Sequence, residues 1–412
     1  MSGSSSVLSE SGTALEAIYA ATVESFDRLL TSEALLAEAQ AATGLSDWGG
    51  ERWEEAGFRR RFGTLCASLE NEAQLNVRGR ARAHSRLHLM LCSRLRQVDW
   101  RAHRSEGPPI VAPLLGTGLP RAGTTFLHNL LAQDPAHVSA TAAQAAMPVP
   151  PAGGRVDAER NEVYRRVLDF QGFTGADVTA IHPYAADMPE ECVFLQEASC
   201  AVLFGAFFDV PGYAQAAAPD IADAYAWQIG VMHTLQEGRD AERWALKAPG
   251  HMLNWEAMIA AFPDARIFMN HRDPGKVIPS MVGLYAKLRS LFSDRVADPK
   301  PFARQLVSTW SGVLDKVTAW RTAHPEIPVF DVRYTDLVAD PIGEAERLYA
   351  AFGLDLRAEA RARMERFLET DRHGKGPARA YGLADYGLDE AVIEEAFGPY
   401  IDRYGVARER RA

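Results

Sequence analysis

The chain has 412 residues, 47% of them hydrophobic and 24% charged, with a formal net charge of −10. That composition suits one large or two modest globular domains, and the acidic balance speaks against a general nucleic-acid binder, which is usually basic. Four cysteines, Cys66, Cys92, Cys192 and Cys200, match no zinc spacing and are too sparse for a disulfide framework, so a cytoplasmic, reducing setting is expected. No stretch approaches the roughly 18 apolar residues of a membrane span, and Met1-Ser-Gly-Ser-Ser-Ser is not a signal peptide.

In chain order, residues 1–12 are Ser/Gly-rich and read as a disordered tail. Residues 13–108 read as a helical extension, with Ser32 as a candidate helix cap. From Arg78 to Arg104 the pattern is amphipathic and basic, with Leu87, Leu91 and Leu95 at fourfold spacing; its eight arginines suit a nucleic-acid arm or a solvated helix face packed on the main domain. A βα series follows. Strands are expected at 111–115, 243–247, 265–270 and 328–332. Helices are expected near 156–170, 190–205, 219–237, 251–262, 275–290, 300–323, from 341 and 356, and at 389–404. Pro/Gly-rich 147–154 is a turn or linker. Alternating strands and helices predict an α/β fold, a P-loop-like parallel sheet flanked by helices over 109–412, with ligands at the carboxyl ends of its strands.

Three strand ends carry chemistry and are expected to converge at one sheet edge. Gly118-Leu-Pro-Arg-Ala-Gly-Thr-Thr125 joins a strand to a helix with the G-x-x-x-x-G spacing of a phosphate loop. Its backbone N–H groups can cradle an anion. Thr124 stands where ATP- and GTP-binding loops carry lysine, so a nucleoside triphosphate is disfavoured. Lys247-Ala-Pro-Gly-His251 and Asn270-His-Arg-Asp-Pro274, with Ser280 beyond, complete a local cationic pocket of Arg121, Lys247, His251, Arg272 and Ser280. Each has a plainer reading: Lys247 snorkelling from a strand end, Arg272 and Asp273 forming an internal ion pair, Ser280 bonding its own helix.

The segments "GLPRAGTT", "LKAPGH", "FPDARIFMNHRDPGKVIPS" and "DVRYTDLVADP", in this order and spacing, resemble the successive motifs of PAPS-dependent sulfotransferases, above all the broad bacterial family with an N-terminal helical extension. The resemblance runs from about Thr43 to Tyr400. It implies the donor 3′-phosphoadenosine-5′-phosphosulfate (PAPS), the product 3′,5′-ADP and no metal. It places the 5′-phosphosulfate on Pro120, Arg121, Ala122, Gly123, Thr124 and Thr125, the 3′-phosphate on Arg272 and Ser280, and Tyr334 near the adenine. The tail around Arg372, His373, Gly374 and Lys375 resembles the segment that closes over the donor. Sulfuryl transfer is governed by positioning and charge stabilisation, as phosphoryl transfer is, which suits Arg121 and Lys247 as charge stabilisers.

A hydroxyl or amine acceptor needs a base. Candidates are His182, Glu190, Glu191 and His251, and the resemblance favours His182 and Glu191. Two positions depart from the family pattern: Ala143-Gln144 replaces a Trp-Glu pair, and Ala122 replaces Ser or Thr. A neutral amide is no base. A donor-binding protein without transferase activity, and more remotely a nucleotide kinase or NTPase, remain as alternatives. Apolar 202–213 suits either a lipophilic or aromatic acceptor pocket or core. The partners expected are a small-molecule acceptor and a second copy of the chain in a homodimer, with no nucleic acid and no membrane span.

Overall fold

The structure, a computed structural model, describes residues 30–104, 107–150, 156–181, 183–202, 204–239, 242–295, 298–370 and 382–409. The expected tail at 1–12, His182, and Arg372, His373, Gly374 and Lys375 lie outside the described residues. The chain divides into two compact units. One takes in residues up to 109, 140–239 and 287–295; the other takes in 110–139, 240–286 and 296 onward. Helical structure of the first kind is therefore not confined to 13–108.

The second unit is built on five parallel strands: β1 (Leu114–Gly118), β2 (His137–Val138), β3 (Arg243–Lys247), β4 (Arg266–His271) and β5 (Val329–Arg333), in the order β2-β3-β1-β4-β5. β1 is central. Leu114 sits beside Ala245 of β3 and Arg266 of β4, and Gly118 sits beside Asn270. All five β1 residues are buried, as expected of a parallel strand covered on both faces. On one face Leu114, Phe268 and Val332 pack with Leu127, Leu130 and Leu131, and with Leu337, Leu348 and Met364 of later helices. β1 begins three residues later than the apolar run suggests, because Pro109 and Pro113 have no N–H for a ladder and Ala112 has φ 42°. β2 is too short to show a period.

The first unit is helical. The helix Ser32–Thr43 is capped by Thr31, not Ser32. The helix Val77–Ala102 is capped by Asn76, whose Oδ1 accepts from Gly79 N–H at 2.6 Å. Arg86, Arg94 and Arg101 of this helix are buried rather than on a solvated face, whereas Arg78 is exposed. Arg94 is 1% exposed and donates to the carbonyls of Trp48, Trp53 and Ala198 at 2.8–3.1 Å. Arg101 pairs with Glu237 at 3.0 Å and Arg86 with Glu197 at 2.6 Å. These partners explain why 140–239 joins the early helices: their buried cations are paired with later residues. Gln97 does the same, donating to Gly230 C=O and Thr234 Oγ1. The long helix expected at 190–205 is replaced by a short one, Cys192–Leu195, and two 3-10 turns, because Cys200 adopts φ 54°. Phe204, Phe207, Phe208 and Tyr213 are buried, and Phe208 packs edge-on to Phe292 at 4.6 Å, so these aromatic residues of the apolar 202–213 segment are core.

Candidate functional site

The loop between β1 and the helix Thr124–Leu131 is shaped by three left-handed residues. Gly118 (φ 135°) lies so close to β4 that a Cβ would stand 2.3 Å from Asn270 O. Gly123 (φ 81°) opens the helix, and a Cβ there would meet the Tyr334 ring at 3.0 Å. Arg121 between them also has positive φ, 68°, without being glycine. Such a conformation costs about 1 kcal/mol or more and persists where surroundings impose it. The imposing contacts are visible. Ala122 N–H bonds Leu119 C=O at 3.2 Å, and buried Asn270 donates its amide to Ala122 C=O at 3.3 Å. No side chain caps the helix at Gly123, so its first N–H groups are directed into the loop. Pro120 and Thr125 are half-buried; Ala122 and Thr124 are buried. The Ala122 methyl points into protein, where a serine hydroxyl would need a partner of its own.

The other two strand ends arrive at this loop. Lys247, the last residue of β3, is 1% exposed and its Nζ donates to Thr125 Oγ1 at 3.2 Å. The loop without a lysine is thus served by one from the adjacent strand. From beyond β4, Arg272 Nη1 donates to Arg121 C=O at 2.8 Å, and its guanidinium lies 3.8 Å from the Tyr334 ring centroid. Arg121 Nε donates to Ser280 Oγ at 3.0 Å. Arg121 therefore joins Arg272 through its backbone and Ser280 through its side chain. Four expected donor residues, Arg121, Arg272, Ser280 and Tyr334, form one connected group.

Arg272 and Asp273 do not pair with each other: Arg272 bonds Glu409, and Asp273 accepts from Arg408 and from Glu409 N–H. Burial works to lower the Arg272 pKa, but the Glu409 bond together with the charges of Tyr334, Glu409 and Asp273 outweighs it, and the net direction is upward. Glu409 and the brace from Asn270 escaped the sequence reading. A carboxylate 137 residues from its partner in sequence carries no local signal.

His251 lies in a 3-10 turn, Pro249–Asn254, and is buried. Burial, then the Lys247 charge, lowers its value to about 3. A group so weakly basic takes an acceptor proton poorly near neutral pH. Among the described residues, no three His, Cys, Asp or Glu side chains gather as a metal site requires.

In the helical unit, Gln144 is buried and occupied. It forms a capping box with Thr141 at the start of Ala142–Ala146, and its Nε2 donates to Asp157 at 3.1 Å. Its amide uses both its donor and its acceptor, a role a carboxylate could not fill. Glu191 is half-buried at the start of Cys192–Leu195, and its N–H donates to Glu190 Oε1 at 2.8 Å. Burial, then the charges of Glu190 and Glu191, raises the Tyr184 phenol.

Comparison with known proteins gives a consistent result. Residues 113–358 match the sulfotransferase family. Over 163 residues the chain is 28% identical to omega-hydroxy-beta-dihydromenaquinone-9 sulfotransferase Stf3 of Mycobacterium bovis and of Mycobacterium tuberculosis, covering 40% of this chain and 41% of those proteins. The match thus spans about two fifths of these relatives' length. Sulfotransferase STF1 of Mycobacterium tuberculosis H37Rv superposes with TM-score 0.75 at 30% identity, over 90% of this chain and 98% of that one. Sulfotransferase STF9 of Mycobacterium avium superposes with TM-score 0.79 at 27% identity, over 94% and 100%. No helix among the described residues is long and apolar enough to cross a membrane. With its parallel sheet, glycine loop and converging basic residues, the chain belongs to the sulfotransferase family.

Proposed function

We propose that the protein transfers a sulfuryl group from PAPS to the hydroxyl, or an amine, of a small lipophilic acceptor in the cytoplasm. One observation carries this reading: the linked group of Arg121, Arg272, Ser280 and Tyr334 at the glycine loop, with buried Lys247 on Thr125. The donor supplies the sulfuryl group and leaves as 3′,5′-ADP. The loop N–H groups and helix N-terminus hold the 5′-phosphate by hydrogen bonds that need no reorganisation. Lys247 and Arg121 take up the charge that grows on the leaving phosphate oxygen as the S–O bond breaks and the acceptor oxygen bonds sulfur. Arg272 and Ser280 hold the 3′-phosphate, the planar guanidinium offering paired donors. The acceptor proton goes to Glu191 or His182, since Gln144 is a neutral amide in a capping box. A lipophilic acceptor is supported by the name of the Stf3 relatives, which act on a hydroxylated menaquinone. The four free, buried cysteines suit a reducing compartment.

Calorimetry with 3′,5′-ADP and 5′-AMP tests the donor assignment. Binding of 3′,5′-ADP with clear preference over 5′-AMP is expected; no binding at near-millimolar ligand, or equal affinities, would reject it. Transfer of label from PAPS to a panel of phenols, alcohols and amines then separates a working enzyme from a binding protein.

A further inference from the structure

Beyond the helix Glu390–Tyr404 the chain turns at Gly405 (φ 59°) and runs against the segment that follows β4. It is fastened there at several points. Glu409 N–H donates to Asp273 Oδ2 at 2.8 Å. Arg408 pairs with Asp273 at 3.3 Å and with Glu394. Asp273 is buried and also receives Gly275 N–H at 3.0 Å. So fastened, Glu409 presents its carboxylate to Arg272 as a two-bond fork: Oε1 accepts from Nε at 2.8 Å and Oε2 from Nη2 at 3.0 Å.

The edge used decides what this contact does. A guanidinium has five N–H donors in a fixed plane. Glu409 takes the side edge, Nε and Nη2, and the Arg121 carbonyl takes one Nη1 hydrogen. Tyr334 covers a face. Among the described residues these bonds engage three of the five donors. The other two lie one on Nη1 and one on Nη2, the nitrogens of the end edge, and are left for an anion. An arginine held on its side edge and face has already given up the rotamer freedom it would otherwise lose on binding.

We propose that Glu409 is a positioning residue for donor recognition. It fixes the Arg272 guanidinium so that its end edge is directed at the donor's 3′-phosphate. The inference rests on the assignment of the 3′-phosphate to Arg272 made above. Glu409 does not itself touch the donor; its negative charge makes direct phosphate contact unfavourable. Its effect is confined to the 3′ end, and binding of a nucleotide without a 3′-phosphate is independent of it.

Calorimetry on the full chain with 3′,5′-ADP and 5′-AMP gives a discrimination ratio for each variant. Glu409→Ala is expected to lower the ratio about tenfold, as loss of one well-oriented charge-assisted contact would. The 5′-AMP affinity and the thermal midpoint should hold. Glu409→Gln, which keeps one acceptor for the fork, should fall between. Arg272→Ala is the control for the underlying reading and should abolish discrimination. If Arg272→Ala abolishes it and Glu409→Ala leaves it unchanged, the positioning role is wrong while the 3′-phosphate assignment stands. If Glu409→Ala raises the ratio, the carboxylate competes with the phosphate, and the proposal is again overturned. If Arg272→Ala leaves discrimination intact, the assignment and the proposal fall together.

Discussion

A lysine 1% exposed at a strand end, with a threonine hydroxyl as hydrogen-bond partner, is a poor device for stability, because burying an ammonium is expensive. It is a good one for stabilising a developing negative charge where water is thin. Lys247→Met, of similar length and neutral, is therefore expected to leave the thermal midpoint unchanged or higher while lowering kcat about a hundredfold. A lower midpoint with an unaltered rate would make Lys247 structural. The strand-end basic residues were legible in the sequence because glycine spacing and apolar runs fix where strands stop. Their mutual bonds were not. That Arg121 holds Ser280 by its side chain and Arg272 by its carbonyl follows from a left-handed φ at a non-glycine residue, which no composition rule announces.

At the scale of elements, strands β3, β4 and β5 lie within a residue of the segments that predicted them; β3 and β4 are buried with mainly apolar centres, as parallel strands are, while β5 is largely half-buried and broken by Asp331. The helix Val77–Ala102 was placed well and its environment misjudged. Arginine at helical spacing reads as a solvated stripe, yet here the guanidinium groups of Arg82, Arg86 and Arg94 are stapled to carbonyls or rings. Arg94 lies 3.9 Å from the Phe58 ring centroid and 4.6 Å from that of Trp227 while bonding three carbonyl groups. Burial lowers its value to about 9, which still leaves it charged at neutral pH. A lysine keeps that charge but lacks the planar fork. Arg94→Lys should reduce the free energy of unfolding by about 2 kcal/mol, read by chemical denaturation, as two or more carbonyls lose donors. A change within about 0.5 kcal/mol, typical of surface sites, would show that the staple contributes little.

Across the whole molecule, buried histidines set the response to acid. His128 and His251 are lowered to about 3, first by burial and then by the Lys247 charge, and His88 to about 4 by burial and His84. Burial also lowers His137, and lowers His271 despite its bond to Asp331. Between these values and the ordinary value of about 6.5, the unfolded chain binds protons that the folded one refuses. Stability therefore rises with pH in that window and is lost on acidification through it. Glu197 works the other way, since burial raises its carboxyl, but it is one group against five. Asp331, held near 2 by His271 and Arg321 against the effect of burial, adds a further loss only below about pH 4. The thermal midpoint is expected to decline from near pH 6.5 downward; a flat profile to pH 4.5 would contradict this.

The helical unit is also assembled from three separate stretches of chain, the last being residues 287–295. Its early helix depends on that last piece. Arg82 donates to Leu291 C=O at 2.6 Å, Asn76 N–H to Phe292 C=O at 3.0 Å, and Gly79 lies where any Cβ would collide with the Phe292 carbonyl. In time rather than space, the helix Val77–Ala102 leaves the ribosome about 200 residues ahead of partners it needs. Such long-range closure slows folding. A gene cut near residue 108 would yield helices whose buried arginines face water, so productive truncation has to respect the interleaved order of the two units.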